Sequence, residues 1–165
     1  MHEALFSKIL VPVDFSACSE RAFRVACGLA RVFSSEVILL HVMDTRSLGA
    51  LNRLGLALPS EEKGQMKRLS HFARATVRRL LNSEPAKGLP IRRVVTGGTP
   101  FVEIARLARS EKVELVVIGS YGGQTGSVEK IFFGSTAEKI VRTAGCPVLT
   151  VPLPNKLPKG KGATA

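Results

Sequence analysis

Two glycine-bearing segments hold the residues best suited to chemistry. The first is Gly119-Ser120-Tyr121-Gly122-Gly123-Gln124-Thr125-Gly126, and the second is Gly134-Ser135-Thr136. Glycine lets backbone N–H groups approach an anion with no Cβ in the way. A helix that starts at Gly134 adds unpaired N–H groups, two hydroxyls and the positive end of the helix dipole. The chemistry is anion holding, and the phosphates of a nucleotide are the anion that suits it. Ser135 fits better beside a phosphate than as a mere cap, although one hydroxyl can do both. Lys130, in the same stretch, either meets a phosphate or faces water.

Other chemistry-bearing residues are sparse. Asp14 follows an apolar run and has two open readings. It is a plain strand-end residue or helix cap, or its carboxylate accepts a hydrogen bond from a base amino group. His41 lies inside an apolar strand and reads as a satisfied core histidine, while His2 and His71 read as surface residues. Strong catalysis needs a positioned base and metal ligands. The chain has no G-x-x-x-x-G-K-[S/T] motif, and no carboxylate cluster or cysteine–histidine pairing stands out. A binding protein is expected, at most a weak ATPase.

The elements that must position these residues follow from periodicity. Lys8–Val13 reads as a buried strand that Pro12 brings to an end. Ser16 or Ser19 caps a helix with Ala22, Phe23, Ala26, Leu29, Ala30 and Phe33 on its apolar stripe. Glu36–Met43 is a strand apolar throughout, the mark of cover on both faces. Asp44–Pro59 reads as a long loop with a loose helical turn around Leu51–Leu56. Ser60 caps the next helix, whose inward stripe is Met66, Leu69, Phe72, Ala73, Val77 and Leu80. Ile91–Thr96 is a third strand, and Gly97-Gly98-Thr99-Pro100 turns into a helix capped by Thr99 with Pro100 at its first position. Val113–Ile118 is a fourth strand. The last helix, from Gly134, faces inward with Ala137, Ile140, Val141 and Ala144, and Gly145 closes it. Pro147–Val151 is a fifth strand.

This β-α-β-α-β-α-β-α-β order predicts an α/β fold: a five-stranded parallel doubly wound, Rossmann-like sheet with helices on both faces. The first and fourth strands are then the central neighbours. Ligands bind beyond the carboxyl ends of such strands where the order reverses, and those ends carry Asp14 and Gly119.

Composition sets the outer bounds. At 165 residues the chain suits one domain with one proper core. No apolar run approaches a membrane span and the first residues do not read as a secretory signal, so the cytosol is expected. Cys18, Cys27 and Cys146 have no metal spacing and read as core or surface residues rather than a redox pair. The net charge is +11, but the cations are scattered and aromatics are not interleaved with them. Solvated faces plus a basic tail explain the charge better than nucleic-acid binding.

Taken together, Ile9-Leu10-Val11-Pro12-Val13-Asp14, Leu40-His41-Val42, Gly98-Thr99-Pro100, Val116-Val117-Ile118-Gly119-Ser120, Gly134-Ser135-Thr136-Ala137-Glu138 and Cys146-Pro147-Val148-Leu149-Thr150-Val151 resemble the universal stress protein family. The resemblance implies one such domain over residues 7–152, with 153–165 left as a basic Pro/Gly/Lys-rich disordered tail. It implies strand order 3-2-1-4-5. It further implies ATP or AMP as ligand, with or without Mg2+. Adenine would lie near Pro12, Val13, Asp14 and Val42, and the ribose and phosphates at Gly119, Ser120, Gly122, Gly134, Ser135 and Thr136. A homodimer through Pro147–Val151 is implied as well, in a stress-response regulator or scaffold with a protein partner the residues do not name. One departure stands out: eleven residues separate Gly122 from Gly134, two more than in the family's G-x-x-G…G-[S/T] pattern. Either the extra residues bulge out, or nucleotide binding is lost and a nucleotide-independent interaction protein remains.

Overall fold

The computed structural model describes residues 5–46, 59–121 and 133–154, with side chains from residue 63 onward in the second segment. The expected turn at Leu51–Leu56, the residues Gly122, Gly123, Gly126 and Lys130, and the tail from residue 155 lie outside the described residues.

Five strands, β1 (Lys8–Pro12), β2 (Glu36–Asp44), β3 (Ile91–Gly98), β4 (Leu115–Gly119) and β5 (Val148–Val151), form one sheet in the order β3-β2-β1-β4-β5. Every pairing is parallel. The expected fold class and strand order are both found. Helices α1 (Ala17–Phe33), α2 (Pro59–Leu81), α3 (Pro100–Ser110) and α4 (Ser135–Thr143) connect the strands.

Strand alternation sends the apolar residues to two cores. Ile9, Val11, Val37, Leu39 and Val117 meet α1 and α2 on one face. Leu10, Ile38, Leu40, Val116 and Ile118 meet α3 and α4 on the other. Burial on both faces is why these strands read as continuous apolar runs. The chain winds outward from β1 to β3, then returns to place β4 against β1, with Ile9 beside Leu115 and Leu10 beside Val116.

Several local expectations change. Ser16, not Asp14 or Ser19, caps α1: its backbone is extended and its hydroxyl accepts from the Ser19 N–H at 3.2 Å. Helix α2 already includes Pro59, so Ser60 is inside the first turn rather than its cap, and proline takes a first-turn position it tolerates well. On α2 the inward stripe narrows to Ala73, Val77 and Leu80, while Leu69 and Phe72 are exposed. On α4, Ala137, Ile140 and Ala144 are buried and Val141 is exposed. An apolar residue at helical spacing is buried only if the sheet reaches far enough to cover it. Gly97 and Gly98 belong to β3, where the positive φ of Gly98 and the Glu103 side chain 2.9 Å from its would-be Cβ leave room only for glycine. Val113 precedes β4, with its N–H on the Ala108 carbonyl.

Candidate functional site

A cavity of about 510 Å3 opens where the strand order reverses. Pro12, Val13 and Asp14 reach it from the end of β1, Leu40, Val42 and Asp44 from β2, and Ile118 and Gly119 from β4. The first turn of α4 closes one side with Gly134, Ser135, Thr136 and Ala137. Pro100 and Ile104 come from α3, Ser19 from α1, and Arg46 and Tyr121 from the segments after β2 and β4. Of the residues singled out in the sequence, Pro12, Val13, Asp14, Val42, Gly119, Gly134, Ser135 and Thr136 are brought together. Gly122 lies outside the described residues.

Ser120 is not among the lining residues. Its N–H donates to the Val151 carbonyl at 3.1 Å, its own carbonyl accepts from the Gly134 N–H at 2.8 Å, and its hydroxyl lies 3.9 Å from the Cys18 sulfur. Ser120 therefore ties the start of α4 to the end of β4. That tie consumes the N–H of Gly134. The intrahelical ladder begins with the Glu138 N–H on the Gly134 carbonyl at 3.0 Å. The N–H groups of Ser135, Thr136 and Ala137, the first turn of a capless helix start, have no acceptor within the helix. Gly134 makes no side-chain cap hydrogen bond. Those three donors, with the dipole behind them, form the anion-receptive wall.

Gly119 has a different reason to be glycine. A Cβ there would lie 3.0 Å from both the Cys18 carbonyl carbon and the Ser19 nitrogen. The absent side chain lets α1 sit directly on the end of β4.

Asp14 is exposed, and Oδ1 accepts from the Ser16 N–H at 3.0 Å and the Ser16 hydroxyl at 2.5 Å. Its own N–H donates to the Ser19 hydroxyl at 3.3 Å. These bonds fix the carboxylate, and among the described residues Oδ2 accepts none. Phe15 follows with φ +65°, turning the chain from β1 into α1. Its ring stacks on His41 at 4.3 Å between centroids. His41 Nδ1 lies 2.8 Å from the Val13 carbonyl, so it is the hydrogen-bonded core histidine the strand pattern implied. Burial holds its pKa below the ordinary 6.5, outweighing the Val13 bond and the Asp14 charge.

Asp44 and Arg46 were not anticipated as cavity residues. Arg46 Nε lies 2.9 Å from Asp44 Oδ1, and Nη2 also meets the carboxylate. Those hydrogen bonds keep the Asp44 pKa low. A usable signal existed for Asp44: it is two residues beyond Val42 on one strand and so shares its face. Arg46 had none, because the path of the chain after β2 is not periodic.

A doubly wound α/β domain with a ligand-sized hollow at its switch point is the class this geometry defines. The chain belongs to the universal stress protein family, whose profile matches residues 5–152. It is 31% identical over 156 residues to universal stress protein MJ0531 of Methanocaldococcus jannaschii, covering 93% of this chain and 86% of that one. The solved structure of MJ0577, from the same organism, overlays with a TM-score of 0.78 at 27% identity, covering 92% of this chain and 99% of the other. A universal stress protein from Archaeoglobus fulgidus, solved in complex with dAMP, shares the fold with a TM-score of 0.55 at 21% identity, covering 89% and 98% of the two chains.

Proposed function

We propose that this chain binds an adenine nucleotide, ATP or AMP, in the cavity between β1, β4 and α4. One observation carries the reading: Asp14, with its carboxylate held by Ser16, lines the same hollow as Ser135, Thr136 and Ala137, whose N–H groups open a helix. In this reading the phosphates take the N–H groups of Ser135, Thr136 and Ala137 and the Ser135 and Thr136 hydroxyls. Asp14 Oδ2 accepts from the base amino group. Pro12, Val13 and Val42 supply apolar cover for the ring, while Ser120 acts by holding α4 in place. A relative solved with dAMP is consistent with a ligand of this class. The bound state would regulate contacts made by a homodimer joined through the outer edge of β5, in a stress-response role. Catalysis is not part of this reading.

Calorimetric titration with ATP, ADP, AMP and adenosine, with and without Mg2+, tests it. Saturable binding of a nucleotide more tightly than adenosine is the expected result. No heat from any of the four, with a folded chain, defeats the reading. It would leave the alternative favoured by the eleven residues between Gly122 and Gly134: an interaction protein of the same fold that works without nucleotide.

A further inference from the structure

A second hollow, an open groove of about 530 Å3, lies between α2 and the end of β2. Met43 and Met66 line it together with Lys63, Lys67 and Arg74. Met43 follows Val42, which lines the nucleotide-sized cavity. Adjacent strand residues point to opposite faces, so the groove and the cavity sit on opposite sides of one strand end.

The helix pattern explains the charge of the rim. Lys63, Lys67, Ser70 and Arg74 fall within about 60° of arc on α2 and span about 16 Å along its axis. From residue 63 to residue 83 the chain contains no Asp or Glu. Arg79 pairs with Glu20, but among the described residues Lys63, Lys67 and Arg74 make no ion pair. All three are exposed, whereas both methionines are half-buried.

We propose that this groove docks an acidic amphipathic protein segment, its apolar side chains on Met43 and Met66 and its carboxylates on Lys63, Lys67 and Arg74. Charge complementarity selects an acidic partner, and the methionines select a protein one. Methionine is flexible and polarizable and adapts to varied apolar side chains, the requirement of helix-in-groove recognition. A nucleic-acid backbone offers cations its phosphates but nothing for the methionine floor, and among the described residues His71 is the single ring on the groove, with no Phe, Tyr or Trp to extend it into a base-stacking platform.

Fluorescence anisotropy on the full chain tests the proposal with a labelled 16-residue helical peptide, leucine on one face and glutamate on the flanks. Binding is expected to weaken at least tenfold in Lys63→Glu/Lys67→Glu and several-fold in Met66→Ser, and to fall with added salt. Circular dichroism confirms that these exposed or half-buried changes leave the fold intact. The proposal is overturned by no binding to the full chain, by indifference to the charge reversal, or by equal binding of an all-glutamate peptide or of single-stranded DNA. Binding that emerges only after Leu51, Leu54 and Leu56 are changed to Ser also overturns it, by making the chain's own segment the occupant.

Discussion

Gly119 and Cys18 meet backbone to backbone, close enough that a Cβ on residue 119 would lie 3.0 Å from the Cys18 carbonyl carbon. Backbone cannot swing aside as a side chain can. Gly119→Ala is expected to destabilise the fold by about 1–3 kcal/mol, the usual cost of overpacking. A urea midpoint equal to that of the parent chain would show that α1 can retreat at no cost.

Ser135 is the first residue of α4, and Gly134 before it has φ −62° and ψ 145°. That is the conformation a residue before proline prefers, and proline suits the first helical position. Ser135→Pro should therefore keep stability within about 0.5 kcal/mol while deleting one N–H and one hydroxyl from the cavity. Nucleotide affinity is expected to fall roughly tenfold or more, as for a lost charge-assisted hydrogen bond. Ser135→Ala, which keeps the N–H, should lose less. Equal titration curves for all three proteins would remove the helix start from the phosphate site.

His41 links stability to pH. Its folded pKa lies below the ordinary 6.5, so between those two values the unfolded chain binds more protons. The contribution is present in full above about pH 6.5 and is lost as pH falls toward the folded value. Unfolding free energy should therefore drop on going from pH 7.5 to 5.5, and by a smaller amount in His41→Gln. A proton NMR titration placing the His41 midpoint at or above 6.5 would contradict the burial argument.

The three cysteines should react unequally. Cys27 is fully buried and its pKa is pushed up to about 11 by burial, against a smaller opposing effect of Arg31. Cys18 is buried and its thiol donates to the Val151 carbonyl at 3.1 Å. Cys146 is half-buried, with its pKa also raised by burial. A thiol reagent at neutral pH should modify Cys146 first and slowly, and all three only after denaturation. Rapid native modification of Cys18, read by peptide mass, would mean that α1 detaches from β4.

The proposed dimer depends on the outer edge of β5, where Leu149 is 38% exposed. Edge strands invite pairing, and lysine is a natural blocker of it. Light scattering should find a dimer for the parent chain and a monomer for Leu149→Lys. A parent chain that is monomeric at all concentrations would discard that arrangement.

Much of the fold was legible because its signals are local. Ile9–Val11, Val37–Leu40 and Val116–Ile118 are apolar on successive residues, and runs this short and rich in Val and Ile mark strands covered on both faces. The Thr99-Pro100 and Gly134-Ser135 junctions mark helix starts by the conformations those residues prefer. Periodicity said less about extent. Leu69, Phe72 and Val141 hold helical spacing with buried neighbours yet are exposed, since the width of the covered stripe depends on how a helix lies on the sheet.

By itself the amino-acid pattern determined five strands, with β1, β2 and β4 buried, the alternation that makes them parallel, and the switch point where Asp14 and Gly119 had to converge. Only the tertiary structure decided what each residue does there. The Gly134 N–H is taken by Ser120 while those of Ser135, Thr136 and Ala137 have no acceptor among the described residues; Gly119 is small for the sake of Cys18; Asp44 and Arg46 join the cavity wall. The physical reason is range. Strand and helix preferences act over a few neighbours in the chain, whereas these contacts join residues up to about a hundred positions apart and exist only once the sheet has been assembled and its helices docked.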